Sequence, residues 1–201
     1  ATRYAVPDEP GAPTSIGTMP YQTRIVMRRP ADAKRFSGVV VVDWQNVTAG
    51  CDLDTEWAQA GDFFVRAGWA WVGASVQRIG VHGFSAPSPL AGRGLKQWSP
   101  ARYASLDVTN GGAVTDDSQS YDIYSQVAEM LKHPQGVNPF EGMRVQRVYA
   151  AGASQSASFL VRYYNSIQPH AKLYDGFLVS IGGGRPRLDE KTKFVKVITE
   201  T

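Results

Sequence analysis

Four consecutive valines followed by Asp43 and Trp44 constrain the fold of this chain more than any other stretch. A short β-branched run bounded by Gly38 has no alternating polar positions, so the strand it forms has to be covered on both faces, as in parallel sheets packed between helices. The adjoining segment fits that demand. In DTEWAQAGDFFVRAG the apolar residues Trp57, Ala60, Phe63, Phe64 and Ala67 fall near helical spacing, with Asp54 as the predicted N-cap and Gly68 as the stop. WAWVGASV then supplies a second buried strand. Strand, helix and strand within about forty residues make a right-handed parallel crossover.

The same alternation resumes further on. YQTRIVMRRP reads as a strand stopped by Pro30, and residues 1–20, with Pro7, Pro10, Pro13 and Pro20, as an irregular lead-in. Residues 77–120 are rich in Gly, Pro, Ser and aromatic residues without a sustained period, and so long a loop is usually functional. SYDIYSQVAEMLKH is a predicted helix, RVQRVYAAG a third buried strand, SQSASFLVRYYNSI its helix, YDGFLVSIG a fourth strand and KFVKVITET a fifth. The expected fold is therefore α/β: one domain over residues 1–201, built on a mostly parallel sheet with helices on both faces.

Composition removes several function classes. The net charge of +3 is scattered, its densest cluster being Arg28, Arg29, Lys34 and Arg35, so no basic stripe marks a nucleic-acid surface. Cys51 is the only cysteine, which excludes an intrachain disulfide and a thiolate metal cluster. No run approaches the roughly 20 apolar residues of a membrane helix. No metal or other cofactor is expected. The chain opens on Ala1 without a signal-peptide pattern, which leaves the compartment open, a secreted origin included.

The chemistry gathers at Gly152-Ala153-Ser154-Gln155-Ser156, where a strand meets a helix. A serine in such a turn projects Oγ above the carboxyl end of the sheet, the arrangement of a G-x-S-x-G nucleophile elbow, here with Ser156 in the last glycine's place. The plainer alternative is a serine that only caps the helix. An acyl-transfer serine also needs two N–H donors for an oxyanion. Gln155 supplies one, and the loop after the valine run offers Asn46 or Val47 for the other. The general base is harder to find. His82 lies in the long loop as a candidate substrate contact, His133 ends a helix, His170 sits in a connection, and none comes after the last strand. Glu200, at the end of the fifth strand, stands where a triad acid is expected. Trp98 and Tyr103 in the long loop are candidate substrate-binding residues or simple packing.

Together the blocks YQTRIVMRRPADAKRFSGVVVVDWQNVTAG, GWAWVGASVQRIGVHG, WSPARYASL, SYDIYSQ, AAGASQSASFLVRYYNSIQP and YDGFLVS resemble the α/β-hydrolase-domain family of bacterial proteins, whose elbow commonly reads G-E-S-Q-S-A. The resemblance covers most of residues 20–201. It implies the α/β-hydrolase fold and serine-dependent hydrolysis of a small-molecule ester, with Ser154 as nucleophile, Gln155 as oxyanion partner, and Ala153 in place of the usual Glu. It also implies that the acid is Glu200 or a residue just beyond Thr201. Relatives run on past this point into a histidine-bearing segment, so the expectation is a C-terminal segment or second polypeptide that completes the fold and supplies the base. The other expectation is a hydrolase-like binding module without catalysis.

Overall fold

The computed structural model describes residues 1–188 and 191–198. Strands β3 (Ile25–Arg28), β4 (Val39–Trp44), β5 (Ala70–Ala74), β6 (Arg147–Ala153), β7 (Gly176–Ser180) and β8 (Lys193–Val197) form one sheet in the order β3-β5-β4-β6-β7-β8. Only β3 runs antiparallel to its neighbour. All other pairings are parallel, so the carboxyl ends of β4 to β8 lie along one rim.

The valine run behaves as its composition demands. Val40, Val42 and Trp44 point into the larger core with helices α5 (Ser120–Lys132) and α6 (Gln155–Arg162), whereas Val41 joins Trp71, Phe64 and Ala151 under α1 (Thr55–Ala67). Helix α1 stops at Gly68, whose φ of 68° is left-handed and whose N–H bonds back to the last turn. A side chain there would strike the Arg35 carbonyl. Its start differs from expectation. Asp54 makes no capping hydrogen bond; its carboxylate holds Arg28 at 2.8 Å and Gln45 at 2.5 Å. Asp43 Oδ2 instead accepts from the Glu56 N–H at 3.2 Å, so a strand residue performs the cap's task.

Three further departures have physical reasons. Residues 1–20 contain an antiparallel pair, β1 (Thr2–Ala5) with β2 (Thr14–Thr18), and β2 carried no apolar signal because all five of its residues are exposed. The long loop holds three helical turns, α2 (Arg78–His82), α3 (Leu95–Trp98) and α4 (Pro100–Tyr103), each too short to show a period. The helix expected over 154–167 gives way to a π-helical turn at Tyr163–Ile167, fully buried, before α7 (Gln168–Ala171). At the far edge among the described residues, β8 leaves Val195 and Val197 exposed on one face of the strand.

Candidate active site

β6 enters α6 through a turn that Gly152 and Ser156 make possible. A Cβ at Gly152 would stand 2.9 Å from Leu160 Cδ1 and 3.1 Å from Ser156 Oγ, so the helix could not pack this close to the strand. Ser156 is fully buried; its hydroxyl donates to the Ala153 carbonyl at 2.9 Å and lies 3.0 Å from the Ala153 N–H. The residue that departs from the glycine of the elbow pattern thus ties the turn shut.

Between them Ser154 adopts φ 56° and ψ −116°, a conformation that side-chain-bearing residues rarely take. It is exposed, and its side chain makes no capping hydrogen bond to α6. The plainer alternative, a serine that serves only as a cap, loses its support. The Ser154 N–H is held by the Ser180 carbonyl at 2.9 Å, which fixes the turn against β7. Gln155 opens α6, so its N–H has no intrahelical acceptor.

The loop after β4 lies against this turn. Asn46 is buried, and its Nδ2 donates to the Ala153 carbonyl at 3.0 Å while its Oδ1 accepts from the Thr48 N–H at 2.9 Å. Its amide is thereby a staple between loop and elbow. The Val47 N–H lies 3.5 Å from Gln155 Oε1, facing the residue next to Ser154. Behind them Gln77, 1% exposed, accepts from Trp44 Nε1 at 3.2 Å and from Gln155 Nε2 at 3.1 Å, and donates to Asp117 at 3.2 Å. Sequence reasoning passed over Gln77, Asp117 and Ser180, because a polar residue just beyond a strand looks like any loop residue until its partners are known.

On the α1 side of the sheet two carboxyls lie close together. Burial pushes the Asp43 carboxyl well above the usual range, and the neighbouring Glu56 carboxyl adds to it. Burial also raises Glu56, opposed by the Ser180 hydroxyl that donates to it at 2.8 Å.

The histidines are elsewhere engaged or exposed. His82 ends α2, where its Nε2 accepts from the Val108 N–H at 3.2 Å and lies 3.3 Å from Asp107 Oδ1. It lines a cavity of about 350 Å³ with Arg78, Thr109 and Val114. Burial lowers its pKa, helped by Lys96 and opposed by Asp107. His133 comes after the last turn of α5, and His170 is exposed on α7. Of the two aromatic candidates, Tyr103 is a core residue at 8% exposure and Trp98, 66% exposed, stacks on it at 6.1 Å. Glu200 lies outside the described residues, as do Thr199 and Thr201. Burial and Asp52 raise the Cys51 thiol, contrary to what a reactive thiolate needs.

Among the described residues no cluster of three or more His, Cys, Asp or Glu is placed to hold a metal ion, and no helix is long and apolar enough to cross a membrane. No curated protein matches the chain. Among solved structures, an α/β serine hydrolase without lid from Xanthomonas campestris aligns at 12% identity and a TM-score of 0.44, over 98% of this chain and 83% of the other. The family model described as alpha/beta hydrolase domain matches residues 1–198. With the mostly parallel sheet and the strand-to-helix turn after β6, that match makes the chain a member of the α/β-hydrolase domain family.

Proposed function

We propose that the protein is a serine hydrolase acting on carboxylic esters, with Ser154 as nucleophile. One observation carries this reading: an exposed serine held at φ 56° in the turn after a central strand, its side chain without the capping bond that would explain it otherwise. In the proposed reaction Ser154 Oγ attacks the ester carbonyl and gives its proton to a histidine base. The negative oxygen is held by the Gln155 N–H and by the Val47 or Asn46 N–H, of which Val47 has the better placement against Gln155. The carbon–oxygen bond to the alcohol then breaks, the histidine returns the proton to the departing oxygen, and water releases the acyl group by the same route. We assign the base to a histidine outside these 201 residues, since His82 is engaged by Val108 and Asp107 and His170 is exposed on α7, and the acid to Glu200 or a residue beyond Thr201. His82 and the exposed face of Trp98, backed by Tyr103, are the proposed substrate contacts.

The engagement of His82 by the Val108 amide favours a second reading, a binding module that keeps the turn without a base. Fluorophosphonate treatment followed by intact and peptide mass spectrometry separates the two. One adduct on Ser154, lost in Ser154→Ala, is the outcome expected of the hydrolase. An unlabelled protein in the presence of its histidine-bearing segment would overturn it.

A further inference from the structure

The chain of amides behind the elbow has a polarity that is not free to reverse. An indole N–H can only donate, so Trp44 Nε1 fixes the oxygen end of the Gln77 amide toward itself. Asp117, as a carboxylate, can only accept, and it takes the nitrogen end of the same amide. Gln77 Oε1 is thus presented to Gln155, whose Nε2 donates to it at 3.1 Å. The oxygen of Gln155 is then left facing the Val47 N–H. An indole at the end of β4 thereby decides the orientation of a side chain beside Ser154.

We propose that Gln77 is a positioning residue, which through the Gln155 side chain holds the Val47 loop in register with the Gln155 N–H as a pair of oxyanion donors. The proposal rests on the reading of Ser154 as a nucleophile. Gln77 touches no substrate and acts only through Gln155. The contact of 3.5 Å from Val47 N to Gln155 Oε1 is long for a hydrogen bond, so it guides the loop while leaving the N–H able to donate to a developing oxyanion.

The test compares the wild type with Gln77→Leu and Gln77→Glu. Its readouts are the fluorophosphonate labelling rate of Ser154, the amide resonances of Val47 and Gln155 in ¹⁵N-labelled protein, and the melting temperature. Gln77→Leu is expected to slow labelling by about tenfold or more, as misalignment of an oxyanion donor should, and to move the Val47 amide resonance. Gln77→Glu keeps the shape and carries the test if the leucine variant does not fold. When protonated, Glu at 77 can still donate to Asp117; when ionised, it faces a carboxylate. The charged or titratable groups around it are Asp117 and Asp116 before α5, Arg78 on α2, Tyr121 on α5, and Arg162 against Tyr121. Labelling of Gln77→Glu should therefore approach the wild-type rate at low pH and fall away from it as pH rises. Wild-type labelling in Gln77→Leu, or a Gln77→Glu deficit that is the same at every pH, would overturn the proposal. If the wild type is unlabelled even in the presence of its histidine-bearing segment, the hydrolase reading fails, and the resonances decide the tether: an unmoved Val47 amide in a folded Gln77→Leu refutes it.

Discussion

Two turns in this protein use unusual backbone conformations to opposite ends. In the turn from Asp107 to Gly112, positive φ falls on Asn110, Gly111 and Gly112, residue types that tolerate it. Asp107 accepts from the Thr109 N–H and hydroxyl, both at 2.7 Å, and from the Gly111 N–H at 2.6 Å, while His82 accepts from Val108. In the turn from Gly152 to Ser156, positive φ falls on Ser154, the one residue there that bears the exposed hydroxyl. Its neighbours Gly152 and Ser156 are the ones that make the turn fit. A group whose bonding capacity is used up by its own turn serves as framework. One that the surroundings hold in a strained conformation, with its hydroxyl outward, is where function is to be sought.

The contrast is broken most severely by changing Ser154. Ser154→Ala should abolish both fluorophosphonate labelling and ester hydrolysis, whereas Asn110→Gly, in the other turn, should keep hydrolysis within about threefold of wild type, measured side by side. Gly152→Val should cost about 3 kcal/mol in chemical denaturation, since the new side chain meets Leu160 and Ser156 at the crossing of strand and helix. Ser156→Ala should cost about 1–2 kcal/mol, because it removes both bonds that close the turn on Ala153. Ser154→Gly should go the other way and stabilise the fold by about 1 kcal/mol while eliminating activity, because glycine accepts the positive φ without strain.

The smallest effect concerns pH. Burial pushes the Asp107 carboxyl up, but hydrogen bonds from the Thr109 hydroxyl and the Gly111 and Thr109 amides outweigh it, and with His82 they hold its pKa down to about 2. The folded value lies below the unfolded one. Ionised Asp107 therefore contributes stability that is fully present above about pH 4 and is lost as pH falls toward 2. Asp107→Asn should flatten that acid limb in urea melts taken between those values. His82, its pKa lowered chiefly by burial, contributes in its neutral form, and its share is lost as pH falls below the ordinary histidine range.

The parallel core strands and their helices were legible because burial on both faces writes itself into composition: β4, β5 and β6 fall where the apolar runs are. The turn at Ser154 was legible for a related reason, since a glycine and small residues between strand and helix have few structural uses. What escaped is short or tertiary. β2 is exposed along its length, and α3 and α4 have four residues each, less than any period can register. Asp54 had a good capping position and lost the task to Asp43, which only the crossing of α1 over β4 brings within reach. Tyr103 could be read either as a substrate contact or as packing, because aromatic clusters in loops and in cores have the same composition; its side chain lies in the core. Gln77 left no trace, for its significance lies in Trp44, Asp117 and Gln155, which are distant in sequence.

The sheet order has a kinetic consequence. The central pair joins Val39 to Arg147, and every residue between them has to be looped out before that pairing can form. Closing so long a loop is slow compared with forming α1 between β4 and β5, which are close neighbours in sequence. The turn at Ser154 extends from β6, so it takes shape only once that late step is complete. A chain with β4, α1 and β5 already docked would present a half-built sheet whose next strand is still absent, and pulsed hydrogen exchange during refolding should find the β4 amides that face β5 protected before those that face β6.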